Sequence, residues 1–509
     1  MYNTDASDAV HWYMSELASR VVAQTAIPDD RHHLGKLILQ GFKDSPDFVL
    51  QIDGATGESE TFQSALQRSV RCATAFRNIG LKTNDVIVVM APIHIHLAIP
   101  MYAAFYTGIG VAGIDMTLTV NELKETFRCL KPNMVFCQSE KARDVQEALK
   151  EVKLESKIIT FNKGESDEFC SLTELLEKHG DNTSVEDFRA SDFNPAETTA
   201  FLLSTSGSTG LPKSAALTHK NLTVQIPFMW ITYDKFPTPA KRVIILSPIQ
   251  WYSAIYNMIF APIVRVTRIQ SSATITTEHA YYLINKYKPN VVMTSPNMLT
   301  ALLKPGEREK CDFSCFETIL CGGSAPHETL LDDMKLINVE TMHDVTEPNI
   351  PGELWLKGPG VFKGYYNNPE TTAETLTKDG WFRTGDLFKR DEQWNYFFVE
   401  RIKLLLKYRN HHISPTEIEL VIKKHPGVFE VAITSVPDKE AGDLVVACVV
   451  PQEGYKLTAQ DIKDIVKENL ADTKHLYGGV VFLKELPLTS TSKINRVKLA
   501  SMVRQLRRD

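Results

Sequence analysis

The chain of 509 residues contains no CxxC pair and no GxxxxGK[ST] segment. Its eight cysteines are scattered, and only Cys311, Cys315 and Cys321 cluster, at no usual zinc spacing. These absences argue against a structural zinc site and a Walker P-loop, and no metal ligand is assigned. Reduced, mostly buried thiols in an intracellular protein are expected instead. Basic excess is missing too: 56 Lys and Arg against 62 Asp and Glu leave a net charge of −6. That balance excludes nucleic acid or an anionic membrane as the main partner. There is no internal repeat, low-complexity tract or long run of like charge. MYNTDASDAVHWYMSELA places acids where a secretory signal needs a basic region before an apolar one. RQLRRD lacks a Ser-Lys-Leu address.

What is present is the composition of an ordinary globular protein, 43% hydrophobic and 23% charged. At this length two or more domains are expected. One stretch imitates a membrane span: Val86 to Ile114 holds no Asp, Glu, Lys or Arg. It also holds Pro92, Pro100, His94, His96 and three glycines, and it divides into VIVVMAP, IHLAIPMYAAFYTGI and GVAGID. That pattern predicts a buried strand, helix and strand, with the histidines as core or pocket-wall residues. Strand-like and helical runs go on alternating through RVIILSP, VVMTSP and TILCGGSAP, which predicts an α/β domain on parallel sheets. From Gly352, GELWLKG, VFKGYY and WFRTGDL read as a small β unit. Beyond ERIKLLLKY a compact α+β piece follows. The boundary is placed near 399–405, giving domains 1–400 and 401–509.

The stretch STSGSTGLPKSAALTHKN, Ser204 to Asn221, concentrates hydroxyls and glycines beside one lysine. Glycine after a strand lets backbone N–H groups approach phosphate oxygens, because no Cβ stands in the way. Ser and Thr add donors, and Lys213 can place its charge on outer phosphates. A solvated Ser/Gly linker is the bland alternative.

TSGSTGLPK with LTHKN, then GELWLKGPGVFKGYYNNPETT, GWFRTGDL, ERIKLLLKY and LPLTSTSKINR resemble, in order, the motifs of the adenylate-forming superfamily. It comprises acyl-CoA synthetases, 4-coumarate–CoA ligases and beetle luciferases, and the resemblance runs from about residue 30 to 505. It implies a large N-terminal domain of parallel-sheet α/β subdomains plus a small β unit, with a smaller, mobile α+β C-terminal domain. It also implies ATP, Mg²⁺ and coenzyme A. A carboxylate attacks the α-phosphate of ATP to give an acyl-adenylate and pyrophosphate, and the thiol of coenzyme A then displaces AMP.

By the same resemblance Thr205, Ser206, Gly207, Ser208, Thr209, Gly210 and Lys213 would hold the β- and γ-phosphates. Asp386 would accept from the ribose hydroxyls, Arg401 would touch the ribose–phosphate side, and Lys403 would be the hinge. Lys493 would bridge the carboxylate and α-phosphate. Gly322, Gly323, Ser324 and Ala325 would line the acyl pocket and adenine side. In IQWYSAIYNMIFAP, Trp251 and Tyr252 stand where beetle luciferases have HHGFG. This looks like the insect luciferase-like acyl-CoA synthetases and suits an apolar acid. The implied partners are a small carboxylic acid, ATP and CoA, in the peroxisome by family analogy or equally in the cytoplasm.

The sequence departs from the family where a YGxTE motif should follow GGSAP. Only 29 positions separate Gly323 from Gly352, fewer than half the span in relatives. A block is therefore expected to be missing, between about 335 and 340, and Thr346–Glu347 of DVTEPN is not taken as its substitute. Ser214, Ser492 and Asn410 replace usual glycines and would put side chains where backbone approaches ligand. The leading reading is an ATP-dependent carboxylate–CoA ligase for a fatty or aryl acid. The alternatives are a catalytically impaired or truncated relative and a luciferase-like monooxygenase.

Overall fold

The charge-free run from Val86 is the strand Val86–Met90, the helix Ala98–Thr107 and the strand Gly110–Gly113, as its sequence predicts. The computed structural model describes every residue except 1–3, 164–167, 181–182, 206–212, 228–241, 305, 322–332, 340, 410, 489–493 and 507. No helix among the described residues is long and apolar enough to cross a membrane. Every residue of Ala98–Thr107 is buried, the situation in which an all-round apolar helix is stable. Its buried phenol is satisfied, since Tyr102 Oη donates to the Met258 carbonyl at 3.0 Å. His94 packs its ring against Phe161, centroids 4.7 Å apart, and His96 pairs with Arg68. His94 is a buried core group and His96 is half-buried beside it.

Two compact units are present, 1–332 with 357–376, and 333–356 with 377–509. The first carries two sheets. In the eight-stranded sheet the order is Gly364–Tyr365, Lys213–Thr218, Thr199–Thr205, Gly110–Gly113, Val86–Met90, Met134–Cys137, Lys157–Thr160 and Cys170–Ser171. All neighbours from Thr199–Thr205 onward are parallel. Such strands are buried on both faces, which is why they read as unbroken apolar runs. The six-stranded sheet orders Thr318–Cys321, Val291–Thr294, Arg242–Ile245, Thr267–Gln270, Val49–Asp53 and Ser59–Thr61, parallel except at its last pair. The fold is α/β with parallel-sheet subdomains.

The elements that carry candidate residues are numbered in chain order: β1 (Thr199–Thr205), β2 (Lys213–Thr218), α1 (His219–Thr223), α2 (Tyr252–Val264), β3 (Gly352–Lys357), β4 (Gly364–Tyr365), α3 (Pro369–Thr375), β5 (Phe382–Arg390), β6 (Tyr396–Arg401) and α4 (Pro415–Ile422). In the second unit, Asp333–Ile337, β3, β5 and β6 make a four-stranded sheet. The C-terminal sheet centres on the antiparallel pair Val428–Asp438 and Gly442–Pro451. Ile433, Val445 and Ala447 pack on one face, and Ala432, Val446 and Cys448 on the other.

One buried carboxylate joins β6 to α4. Glu400 is 2% exposed, and its Oε1 accepts from the Arg401 N–H at 2.9 Å. Its Oε2 accepts from Ser414 Oγ at 3.2 Å and from the Thr416 N–H at 3.0 Å. The sequence SPTE starts the helix there: Ser414 caps it by accepting from the Glu417 N–H, and Pro415 occupies the first turn. Removing the carboxylate leaves those donors buried. Glu400→Ala is expected to lower stability by about 1.5–3 kcal/mol, and Arg401→Ala, on an exposed side chain, by under about 1 kcal/mol. Urea titration giving equal losses would contradict the assignment.

In the first unit His33, His94 and His219 are buried. Burial pushes His33 down to about 4, His94 down to about 3 and His219 well below the usual range. His33 Nε2 donates to the Ser191 carbonyl at 3.0 Å and its Nδ1 accepts from the Lys36 N–H. All three stay neutral in the folded chain near neutrality but take protons in the unfolded one below about pH 6.5. Their stabilising effect is therefore complete above that pH and is lost as pH falls toward 4. The expected cost is about 2 kcal/mol per histidine between pH 7 and 5, and equal unfolding midpoints at the two pH values would contradict it.

Candidate nucleotide and acyl site

The Ser/Gly stretch sits at one end of an antiparallel pair. β1 and β2 pair antiparallel from Thr199 opposite Thr218, through a register shift before Phe201, to Ser204 opposite Ser214 and Thr205 opposite Lys213. The two residues expected at either end of the phosphate segment are thereby brought face to face. Ser206, Gly207, Ser208, Thr209 and Gly210 lie outside the described residues. Lys213 Nζ stands over the Tyr365 ring, 5.7 Å from its centroid.

Ser214 does not project where the sequence suggested. Successive strand residues point to opposite faces, so it faces away from Lys213 and is buried. Burial pushes the Cys129 thiol up, and a hydrogen bond with Ser214 pulls it part of the way back.

LTHKN has a structural explanation. Thr218 Oγ1 accepts from the Asn221 N–H at 3.1 Å, and Asn221 Oδ1 accepts from the Thr218 N–H at 3.0 Å. This is a capping box. Asn221 Nδ2 then donates to the carbonyls of Pro359 and Val361 at 2.9 and 3.0 Å, tying the β2–α1 corner to the GPGVF segment. His219 is wholly buried between His33, Phe193 and Phe105.

On the second unit, Asp386 of β5 is opposite Arg401 of β6, with Arg401 Nε 3.1 Å from Asp386 Oδ1. Burial lifts the Asp386 carboxyl above its ordinary value, and Arg401 pulls it part of the way back. Gly385 before it has φ +71°, a left-handed conformation that disfavours any side chain. Its N–H donates to Glu353 Oε1 at 2.9 Å, and Thr384 Oγ1 donates to the Leu354 carbonyl at 2.7 Å. RTGD is thus bent so that a half-buried carboxylate can accept hydroxyl donors beside a guanidinium, which fits a ribose diol. Lys403 lies exposed on the turn Ile402–Leu404 that follows β6.

Tyr252 opens α2, and its hydroxyl donates to Gln225 Oε1. Its ring leads a ladder to Tyr256 and Phe260, with centroids 5.7 and 5.4 Å apart. Trp251 is 43% exposed, a surface position rather than core. Gly322, Gly323, Ser324, Ala325 and Lys493 lie outside the described residues.

The strand Asp333–Ile337 runs unbroken through Lys335 and Leu336 beside β3. Glu347, in the connection that follows, is exposed. No group of three or more His, Cys, Asp or Glu among the described residues could hold a metal ion. Asn221, Glu353, Tyr365 and Glu400 escaped the sequence reading; only Asn221, three residues after a helix-capping Thr, carried a local signal.

The family model for the AMP-binding enzyme matches residues 40–335, and that for the AMP-binding enzyme C-terminal domain matches 417–493. The chain is 28% identical to luciferin 4-monooxygenase of Photuris pensylvanica over 520 residues, covering 91% of this chain and 93% of that protein. It is 25% identical to 4-coumarate–CoA ligase-like 3 of Arabidopsis thaliana, covering 89% of each. The ATP-bound structure of MatB from Rhodopseudomonas palustris shares the fold, with TM-score 0.78 at 22% identity over 92% of this chain and 98% of that one. The protein belongs to the AMP-binding enzyme family of adenylate-forming acyl- and aryl-CoA ligases.

Proposed function

We propose that the protein is an ATP-dependent carboxylate–CoA ligase that activates an apolar fatty or aryl acid through an acyl-adenylate. The observation that carries the reading is the opposition of Thr205 and Lys213 at the end of a rigid strand pair, beside the Ser/Gly segment. Lys213 would meet the outer phosphates, Asp386 the ribose hydroxyls and Arg401 the ribose–phosphate side. Lys403 would be the hinge between 1–400 and 401–509, and Lys493 would bridge carboxylate and α-phosphate. Trp251 and Tyr252, with Gly322 to Ala325, would border the acyl pocket. Coenzyme A would be the second acceptor. Mg²⁺, when bound, would neutralise phosphate charge.

A second reading, a ligase impaired in its first step, is favoured by the short span before β3. An alignment of 520 positions that covers 91% of a 509-residue chain must open gaps in this chain, which supports a missing block. We take that block to be missing between about 335 and 340. Without the aromatic and Thr-Glu that relatives carry there, ATP–Mg²⁺ would bind weakly.

Asp386→Ala is expected to weaken ATP binding by about 1.5–3 kcal/mol through loss of a charged acceptor for two hydroxyls. Lys493→Ala is expected to leave ATP binding near wild type while abolishing acid-dependent pyrophosphate release. Calorimetry showing equal ATP affinity for Asp386→Ala, or pyrophosphate release undiminished in Lys493→Ala, would refute the corresponding role.

A further inference from the structure

We propose that Tyr365 is a positioning residue for Lys213, its ring holding the ammonium at the end of the β1–β2 pair, where it can meet the outer phosphates of a nucleotide. The inference rests on the reading of Lys213 given under Proposed function.

The sheet places the two side chains together. Lys213 and Ala215 alternate onto one face of β2, and β4 pairs antiparallel with β2 so that Tyr365 is opposite Ala215. The result is the ammonium 5.7 Å from the ring centroid, within the distance at which the negative face of an aromatic ring attracts a cation.

The ring itself is anchored. The Tyr365 N–H donates to Thr372 Oγ1 at 2.9 Å, and that hydroxyl donates on to the Asn368 carbonyl at 2.8 Å, binding β4 to α3. Phe362 meets the ring edge-on with centroids 5.2 Å apart. Gly364 has φ +148°, and a Cβ there would stand 2.8 Å from the Thr372 methyl. The chain before Tyr365 is thus pressed against α3 in a way only glycine permits. Burial holds the phenol above its ordinary pKa, so the ring stays neutral. A long, flexible lysine gains a defined resting place that sheet register dictates.

Nucleotide affinity tests this on the full chain with ATP and AMP as probes, because only ATP carries the outer phosphates. Tyr365→Leu and Tyr365→Met, two ways of removing the ring in case one variant folds poorly, should weaken ATP binding about two- to fivefold, the scale of one cation–π contact. AMP binding should not change. Tyr365→Phe, which keeps the ring, should bind ATP like wild type. On a Lys213→Ala background Tyr365→Leu should add nothing. Equal losses for ATP and AMP, unchanged or tighter ATP binding in Tyr365→Leu, or full additivity with Lys213→Ala would overturn the inference while leaving the role of Lys213 intact. Unchanged ATP binding in Lys213→Ala alone would instead overturn the reading on which it rests.

Discussion

The pairing of Thr205 with Lys213 is the constraint on which the candidate site depends. A Ser/Gly segment has little conformational preference of its own, so its two ends must be held by something stiffer. The stiffness comes from β1, which lies between the parallel strand Gly110–Gly113 and its antiparallel partner β2. At the far end of β2 the reciprocal bonds of Thr218 and Asn221 stop the strand and start α1, and Asn221 reaches on to Pro359 and Val361. Beside it β4 closes the edge. The backbone position of residue 213 is therefore set by strand register.

The RTGD turn solves a related problem differently. There a carboxylate must be partly desolvated yet remain able to accept hydrogen bonds. Gly385 supplies the left-handed bend, Glu353 satisfies its N–H, and Arg401 balances the Asp386 charge from the neighbouring strand. Glu400, one residue from Arg401, turns the opposite way into the base of α4. Strand alternation sends these adjacent acidic and basic side chains to opposite sides, Glu400 into the fold and Arg401 toward the proposed ribose side.

Much of this was legible in the sequence, and the reasons for the misses are physical. VIVVM, RVIILSP and GELWLKG announced strands through unbroken or alternating apolar character. What local pattern cannot supply is which distant strand lies alongside. Ser214 looked like an intrusion on the ligand because its place after Lys213 was visible, whereas Cys129 on its other side, brought in by the sheet, was not. Tyr365 became relevant only through pairing with β2 across 150 residues of chain. Glu347 shows the reverse case: a tempting Thr-Glu pair that lies exposed in the connection after Asp333–Ile337.

The proposal therefore rests on a lysine placed by strand register and an acid read as ribose-binding, in a chain expected to lack the aromatic and Thr-Glu of a YGxTE motif. Metal-bridged phosphates contribute several kcal/mol to such a transition state, and each 1.4 kcal/mol is about tenfold in rate. The most direct measurement is acid-dependent ATP–pyrophosphate exchange by the purified chain, run beside a relative that retains the full span between GGSAP and GELW. The account predicts exchange that requires the carboxylic acid but is slower by at least about tenfold. Exchange at the relative's rate would contradict it, and would return Glu347 to consideration as the metal-binding residue.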